Sequence, residues 1–355
     1  MSGGLEGVVA AETVLSHMDP ARGMVWVRGH DLPDLVANHG FEGTIALLWD
    51  GFADGASGES LTRAGLTEAF GAARVAAFAE LGAWLDRAEG RTLFEGMRLG
   101  LASLRDTATP AEIVGATTVI VAALLRSRKG VPLISPDPAL STAADLLRMR
   151  HGAPADPAMV AALDTYFTVM AESGLSASSF TARIVASTRA SLPAAVLGAW
   201  CAFTGPVHGG APGPTLDLLD NAQAAPDLDA WLEAKLRAGE RLMGFGHRVF
   251  RGNDPRAEAM RLALAAMGPM AERLAFATRV EARVAAVIER VKPGRTLPPN
   301  VEIMAALLLD AVGFSREAFT PVFAVGRCAG WIAHALEQRK TGRMIRPTSK
   351  YVGVA

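Results

Sequence analysis

The chain has only two cysteines, Cys201 and Cys328, both inside apolar stretches. That is too few for a disulfide framework; they read as small buried hydrophobes in a reducing compartment, and a cytoplasmic location is expected. Aromatic residues make up only 6% of the sequence and isoleucine is scarce while alanine is abundant, a balance that favours helix over sheet. Excess charge is lacking as well. Thirty-five basic and 36 acidic side chains leave a formal net charge of -1, so no strong field draws the protein to nucleic acid or anionic lipid, and any partner is recognised locally. No basic region followed by an apolar stretch opens the chain, so no secretory signal is expected. The longest uncharged stretch, 190–216, is interrupted by Pro193, Pro206, Pro212 and Pro214 before it could span a bilayer as one helix, and reads as a buried helix followed by a loop.

What is present is a 355-residue chain, half apolar and 20% charged, long enough for two domains or one large one and too apolar to stay disordered. Its punctuation is helical. Thr109, Pro110 and Glu112 form a capping box with proline at the first helical position, and Asp137–Pro138, Asp156–Pro157 and Asp254–Pro255 repeat that start signal. Apolar periodicity predicts further helices over 62–88, 176–190, 192–204, 228–243, 301–312 and 319–338. Alternating patterns are confined to Met24–Arg28 and Met344–Ile345, read as small peripheral β pieces. The expected fold class is all-α. Glycine and proline gather at 205–214, 244–255 and 292–300, which marks those loops as domain junctions or active-site loops.

Two of the seven histidines sit in unusual company. His208 lies in Gly205-Pro206-Val207-His208-Gly209-Gly210, where glycines let backbone amides and a ligand approach; taken alone, this segment reads as a turn histidine bonded to backbone. His247 lies in Gly244-Phe245-Gly246-His247-Arg248-Val249-Phe250-Arg251-Gly252-Asn253-Asp254-Pro255-Arg256, a loop that ends at a helix N-terminus and carries three arginines. Histidine supplies acid or base near neutral pH, and a helix N-terminus with arginines favours anions.

The segment 244–256 resembles the signature of the citrate synthase family, glycine-histidine followed after a short spacer by Asp-Pro-Arg. Gly205–Gly210 is similar to the family's Gly-Pro-Leu-His-Gly-Gly. Gly4–Thr13, Arg28–Asp31, Phe323–Trp331 and Arg346–Pro347 resemble family segments of the short bacterial type, in the right order over almost the whole chain. The resemblance implies an all-helical homodimer with a large domain (1–210 and 309–355) and a small domain (211–308) that closes over the active site. It implies condensation of acetyl-CoA, or propionyl-CoA in a 2-methylcitrate synthase, with oxaloacetate, with coenzyme A thioester as co-substrate, no tightly bound cofactor and no metal. Independently, no histidine or cysteine pair has zinc-ligand spacing.

Carried over by position, the resemblance makes His208, His247 and Glu302 catalytic: a donor to the thioester oxygen, a group that polarises the ketone, and the base. It assigns Arg256, Arg327, Ser173 and, from the other subunit, Arg346 to the second substrate; paired guanidinium donors fit a dicarboxylate better than lysine would. Coenzyme A is expected along Leu242, Met243, Gly244, Phe245 and Gly246, with Arg251 near its phosphates, although Met243 and Phe245 read more simply as packing. The sequence also departs from the family. Asn300-Val301-Glu302 replaces Asn-Val-Asp and moves the carboxylate one methylene outward, Ser173 stands where the family has a histidine, and Leu99–Leu104 lacks the family's His-Pro-Met. These departures keep two alternatives in play, a paralogue acting on a different 2-oxo acid and a silent one that binds coenzyme A or a carboxylate and acts through regulation.

Overall fold

The computed structural model describes residues 4–5, 7–53, 61–209, 212–246 and 254–354. Near the N-terminus β1 (Ser16–Asp19), β2 (Met24–Val27) and β3 (His30–Asp31) form a three-stranded antiparallel meander, with Ser16 opposite Val27 and Val27 opposite His30. Val25 and Val27, two residues apart, both point into the core. The rest is helical. A single turn α1 (Leu32–Asp34) runs through a π-turn (Leu35–His39) into α2 (Gly40–Trp49), followed by α3 (Arg63–Ala79), α4 (Leu93–Ala102), α5 (Pro110–Arg128), α6 (Thr142–His151) and α7 (Pro157–Met170). Then come α8 (Ala177–Ser187), α9 (Leu192–Phe203), α10 (Pro212–Ala224), α11 (Leu228–Arg237), α12 (Pro255–Ala266), α13 (Ala271–Val291), α14 (Val301–Ala311) and α15 (Phe319–Thr341).

The start signals at Thr109, Asp156 and Asp254 each cap a helix, and the Thr109–Glu112 capping box is complete on both sides. Asp137–Pro138 is a correction. There the aspartate makes a local turn to the Ala139 amide, Arg74 takes the carbonyls of Asp137 and Leu140, and α6 starts only after Ser141 caps it. The pattern over 62–88 is likewise not one helix: α3 ends at Ala79 and two short 3-10 turns follow, around Gly82. α11 stops at Arg237 because Gly239 takes a left-handed conformation and Glu240 N–H closes back on Lys235. Met344–Ile345 forms no strand; the Ile345 amide donates instead to Ser187 Oγ on α8. Periodicity did not single out α2, α4, α10 or α13.

α5 is the centre of the core, packed on α3, α4, α6 and α15. Among the described residues it alone is long and apolar enough to cross a membrane, and it lies mostly buried in the fold. α15 is buried along nearly its whole length, packed on the mutually contacting helices α8 and α9 and on α7. α10 to α13 form a second cluster in which α11 packs on α13, while α10 and α12 reach α14. α7 touches both groups, meeting α15 and α2 on one side and α12 and α14 on the other. The site described next lies at that seam.

Candidate active site

α7 ends at Met170, and the turn before α8 presents Ser173 between two guanidinium groups. Ser173 Oγ accepts from Arg256 Nη1 at 3.1 Å and from Arg327 Nη2 at 3.0 Å. Each arginine is aimed by a separate device. Asp254, the cap of α12, accepts the Arg256 amide and binds its guanidinium through Nε at 3.0 Å and Nη2 at 2.7 Å. Arg327, in the middle of α15, donates Nε to the Met170 carbonyl at 2.7 Å and lies over the Phe323 ring at 5.1 Å. Burial lowers the Arg327 pKa to about 10, against the pull of Glu172. Two buried guanidinium groups, of which Arg256 is ion-paired with Asp254, thus converge on one neutral hydroxyl.

Glu302 faces them from the first turn of α14. Asn300 caps this helix through the Glu302 amide at 2.9 Å and also donates Nδ2 to the Gly246 carbonyl at 3.1 Å. The Asn300 amide reaches the Gly244 carbonyl, Gly246 N–H reaches Pro298 O, and Phe245 pairs with Pro299. Leu242–Gly246 is thereby laced to the segment 298–300 that leads into Glu302. Gly244 is required there: its φ is +83°, and a Cβ would come within 2.6 Å of Thr215 and 2.7 Å of Ile303. Glu302 as a whole is partly exposed, yet its Oε2 is buried with no hydrogen-bond partner. Burial raises its pKa to about 7; nearby Arg256 and Arg327 favour the anion and Asp254 opposes it. A carboxyl half ionised near neutral pH is suited to taking a proton.

His208 approaches from the loop after α9, its ring edge-on to Phe203 at 5.0 Å. Its Nε2 accepts from the Ser178 amide at 3.2 Å, in the first turn of α8, and lies 2.8 Å from Ser178 Oγ. Ser178 Oγ in turn accepts from Trp331 Nε1 at 3.0 Å. A backbone N–H cannot accept, so Nε2 carries the lone pair and the ring proton sits on Nδ1. Burial, with Arg327 adding to it, pulls the His208 pKa down to about 4, so the imidazole is neutral and can act only as a donor through Nδ1.

Of the residues expected from sequence, the structure gathers Ser173, Arg256, Arg327 and Glu302 around one seam and brings His208 close enough to feel Arg327. Leu242 and Phe245 are buried, in line with packing. His247 and Arg251 lie outside the described residues. Arg346 sits exposed on the C-terminal tail, with no hydrogen bond or ion pair to the described residues of its own chain.

Three contributors escaped sequence reasoning. Ser178 fixes the tautomer of His208. Glu172 is fully buried, and its Oε1 accepts from Ser16 Oγ, from the Gly174 amide at 2.6 Å and from His334 Nε2 at 3.2 Å. These contacts hold the Ser173 turn from beneath, and the neighbouring His334 keeps the Glu172 carboxyl below the usual range in spite of its burial. His334 Nδ1 accepts from Arg183, which is paired with Glu337. Tyr166 is fully buried with its hydroxyl unpaired, and burial together with the Glu302 charge pushes its pKa well up. Glu172 and Ser178 lie in the segment 171–178, similar to the family's Ala-Asp-His-Gly-Leu-Asn-Ala-Ser, of which only Ser173 was singled out, and Tyr166 in an apolar helix carries no motif.

The family model described as citrate synthase, C-terminal domain, matches residues 4–348. A citrate synthase of Haloferax volcanii is 32% identical over 380 residues, covering 99% of this chain and 95% of its own length. A 2-methylcitrate synthase of Mycobacterium tuberculosis is 30% identical over 380 residues, covering 99% and 90%. Among solved structures, the citrate synthase of Thermotoga maritima superposes with a TM-score of 0.85 at 28% identity, covering 100% of this chain and 96% of that one. With the fold, the seam and these likenesses in agreement, the chain belongs to the citrate synthase family and is a transferase of that type.

Proposed function

We propose that this protein joins an acyl-CoA to a 2-oxo acid, with acetyl-CoA or propionyl-CoA and oxaloacetate as the default pair. Glu302 takes a proton from the carbon next to the thioester, and the Nδ1–H of His208 donates to the thioester oxygen as it gains charge. The enol carbon then bonds to the ketone carbon of the second substrate, whose oxygen His247 polarises and protonates. Water finally cleaves the thioester and releases the coenzyme A thiol. Arg256, Arg327 and Arg346 of the partner subunit bind the carboxylates of the 2-oxo acid in a homodimer. Coenzyme A runs along Leu242–Gly246 with Arg251 at its phosphates, and 211–308 closes over both substrates.

The observation that carries this reading is the tautomer of His208: a neutral imidazole held by the Ser178 amide, able only to donate, and sharing Arg327 as an electrostatic neighbour with an ionisable Glu302. The Ser173 hydroxyl is short and uncharged, which favours a 2-oxo acid panel over oxaloacetate alone as the assay. Free thiol release from acetyl-CoA or propionyl-CoA with each 2-oxo acid tests the proposal, with His208→Ala and Glu302→Ala as controls. Release above both controls with one acid names the substrate. No release above them with any acid, together with calorimetric binding of acyl-CoA that Glu302→Ala leaves unchanged, would establish the silent binding protein instead.

A further inference from the structure

His30, Asp34 and His39 come together at the surface where the small sheet passes into α2, and their ligand atoms all lie within 4.8 Å of one another. We propose that these three side chains form a binding site for a divalent transition-metal ion of the zinc type.

The local fold builds the cluster. His30 lies in β3, paired opposite Val27, and Asp31 caps α1 by accepting the Asp34 amide at 2.9 Å. That cap points Asp34 back at His30, whose Nδ1 is 2.6 Å from Asp34 Oδ2. The chain then makes a π-turn instead of a regular α-turn, a departure often found at functional sites, and His39 is its last residue. Gly40 ends the π-turn at a φ of +62°, where a Cβ would come 2.9 Å from Asp164 Oδ2, and Gly43 leaves only 3.1 Å of clearance beside the His39 Cβ. The result sets His39 edge-on to His30, with ring centroids 4.9 Å apart.

Hydrogen bonding accounts for two of the three members but not for the third. Asp34 Oδ1 accepts from Asn38 Nδ2 at 2.7 Å, and its Oδ2 lies 2.6 Å from His30 Nδ1. His39 Nε2 stops 3.7 Å from the same Oδ2, beyond hydrogen-bond distance. A tetrahedral zinc with ligands about 2.1 Å away needs ligand atoms about 3.4 Å apart. The 2.6 and 3.7 Å separations bracket that value, and all three side chains are partly exposed, free to adjust and leaving water the remaining position. Two imidazole nitrogens and one carboxylate select zinc, nickel or copper over magnesium or calcium. The three ligands are four, five and nine residues apart, and no sequence pattern flags them, because the π-turn rather than helical spacing brings His39 into line.

None of the three side chains is hydrogen-bonded to Ser173 or Glu302 among the described residues, and the test reads metal binding, not catalysis. Zinc chloride titrated calorimetrically into the untagged protein is expected to show one ion per chain and to raise the melting temperature. His39→Ala breaks no hydrogen bond among the described residues and is expected to weaken zinc binding at least tenfold; His30→Ala should do the same, and His17→Ala, at an exposed histidine outside the cluster, should leave binding intact. Melting without zinc checks that each variant is folded. Absence of zinc binding in the native protein, or binding that survives both His39→Ala and His30→Ala, overturns the assignment.

Discussion

Glu302→Gln isolates the energetic cost of the acidic group at the seam. Burial moves this carboxyl from the usual 4.5 to about 7. At roughly 1.4 kcal/mol per pH unit, that displacement corresponds to about 3 kcal/mol between the two protonation states. The sign follows from linkage: the folded protein holds the proton more tightly than the unfolded chain, so the contribution is fully present below about pH 4.5 and is lost as pH rises through about 7. Glutamine has nearly the same shape and cannot ionise, so the variant escapes that loss. Denaturant unfolding of both proteins between pH 5 and 8.5 should show the variant gaining on the native protein by about 2 to 3 kcal/mol, almost all of it below pH 8. Taking the difference removes His208 and every other titrating group common to both proteins. A difference that stays flat across this range would falsify the buried-carboxyl reasoning, and with it the assignment of Glu302 as a base poised near neutrality.

The same shift sets the pH profile of thiol release. kcat/KM should climb through about pH 7 as Glu302 ionises, with no second limb from His208, whose pKa of about 4 keeps it neutral throughout; an activity maximum near pH 5 is the contrary result. Tyr166→Phe removes a buried hydroxyl that has no partner and should stabilise the fold by about 1 kcal/mol in thermal unfolding, where a loss would reveal a hydrogen bond not seen here. Gly330→Ala would put a Cβ 2.2 Å from the Ala171 carbonyl and 2.7 Å from Glu172 Oε2. It should therefore displace the Ser173 turn and raise KM for the 2-oxo acid more than KM for the acyl-CoA, and equal effects on both would count against it. Ser178→Ala keeps the backbone donor to His208 but strands the buried Trp331 N–H, so stability should fall by about 1 to 3 kcal/mol while kcat changes less than in His208→Ala.

Several features were legible without coordinates because their causes are local. The capping box at Thr109, the Asp-Pro starts at 156 and 254 and the scarcity of aromatics and isoleucine dictate helices through short-range hydrogen bonds and side-chain entropy. Ser173, Arg256, Arg327 and Glu302 were legible through the motifs that carry them. Asp137–Pro138 misled because the same dipeptide also makes a turn, and a distant Arg74, buried against Asp145 at 2.7 Å, decided which.

The sequence by itself thus determined a mainly helical chain with His208 on a glycine-rich loop and Arg256 and Glu302 at helix starts, since propensity, capping and glycine freedom act within a few residues. Only the tertiary structure decided which nitrogen of His208 carries the proton, that burial raises the Glu302 pKa, and that Glu172 braces the Ser173 turn. Each of these depends on burial or on a partner brought close by packing, across as many as 162 residues between Glu172 and His334, and electrostatic energies follow distance in space and solvent exclusion rather than order along the chain.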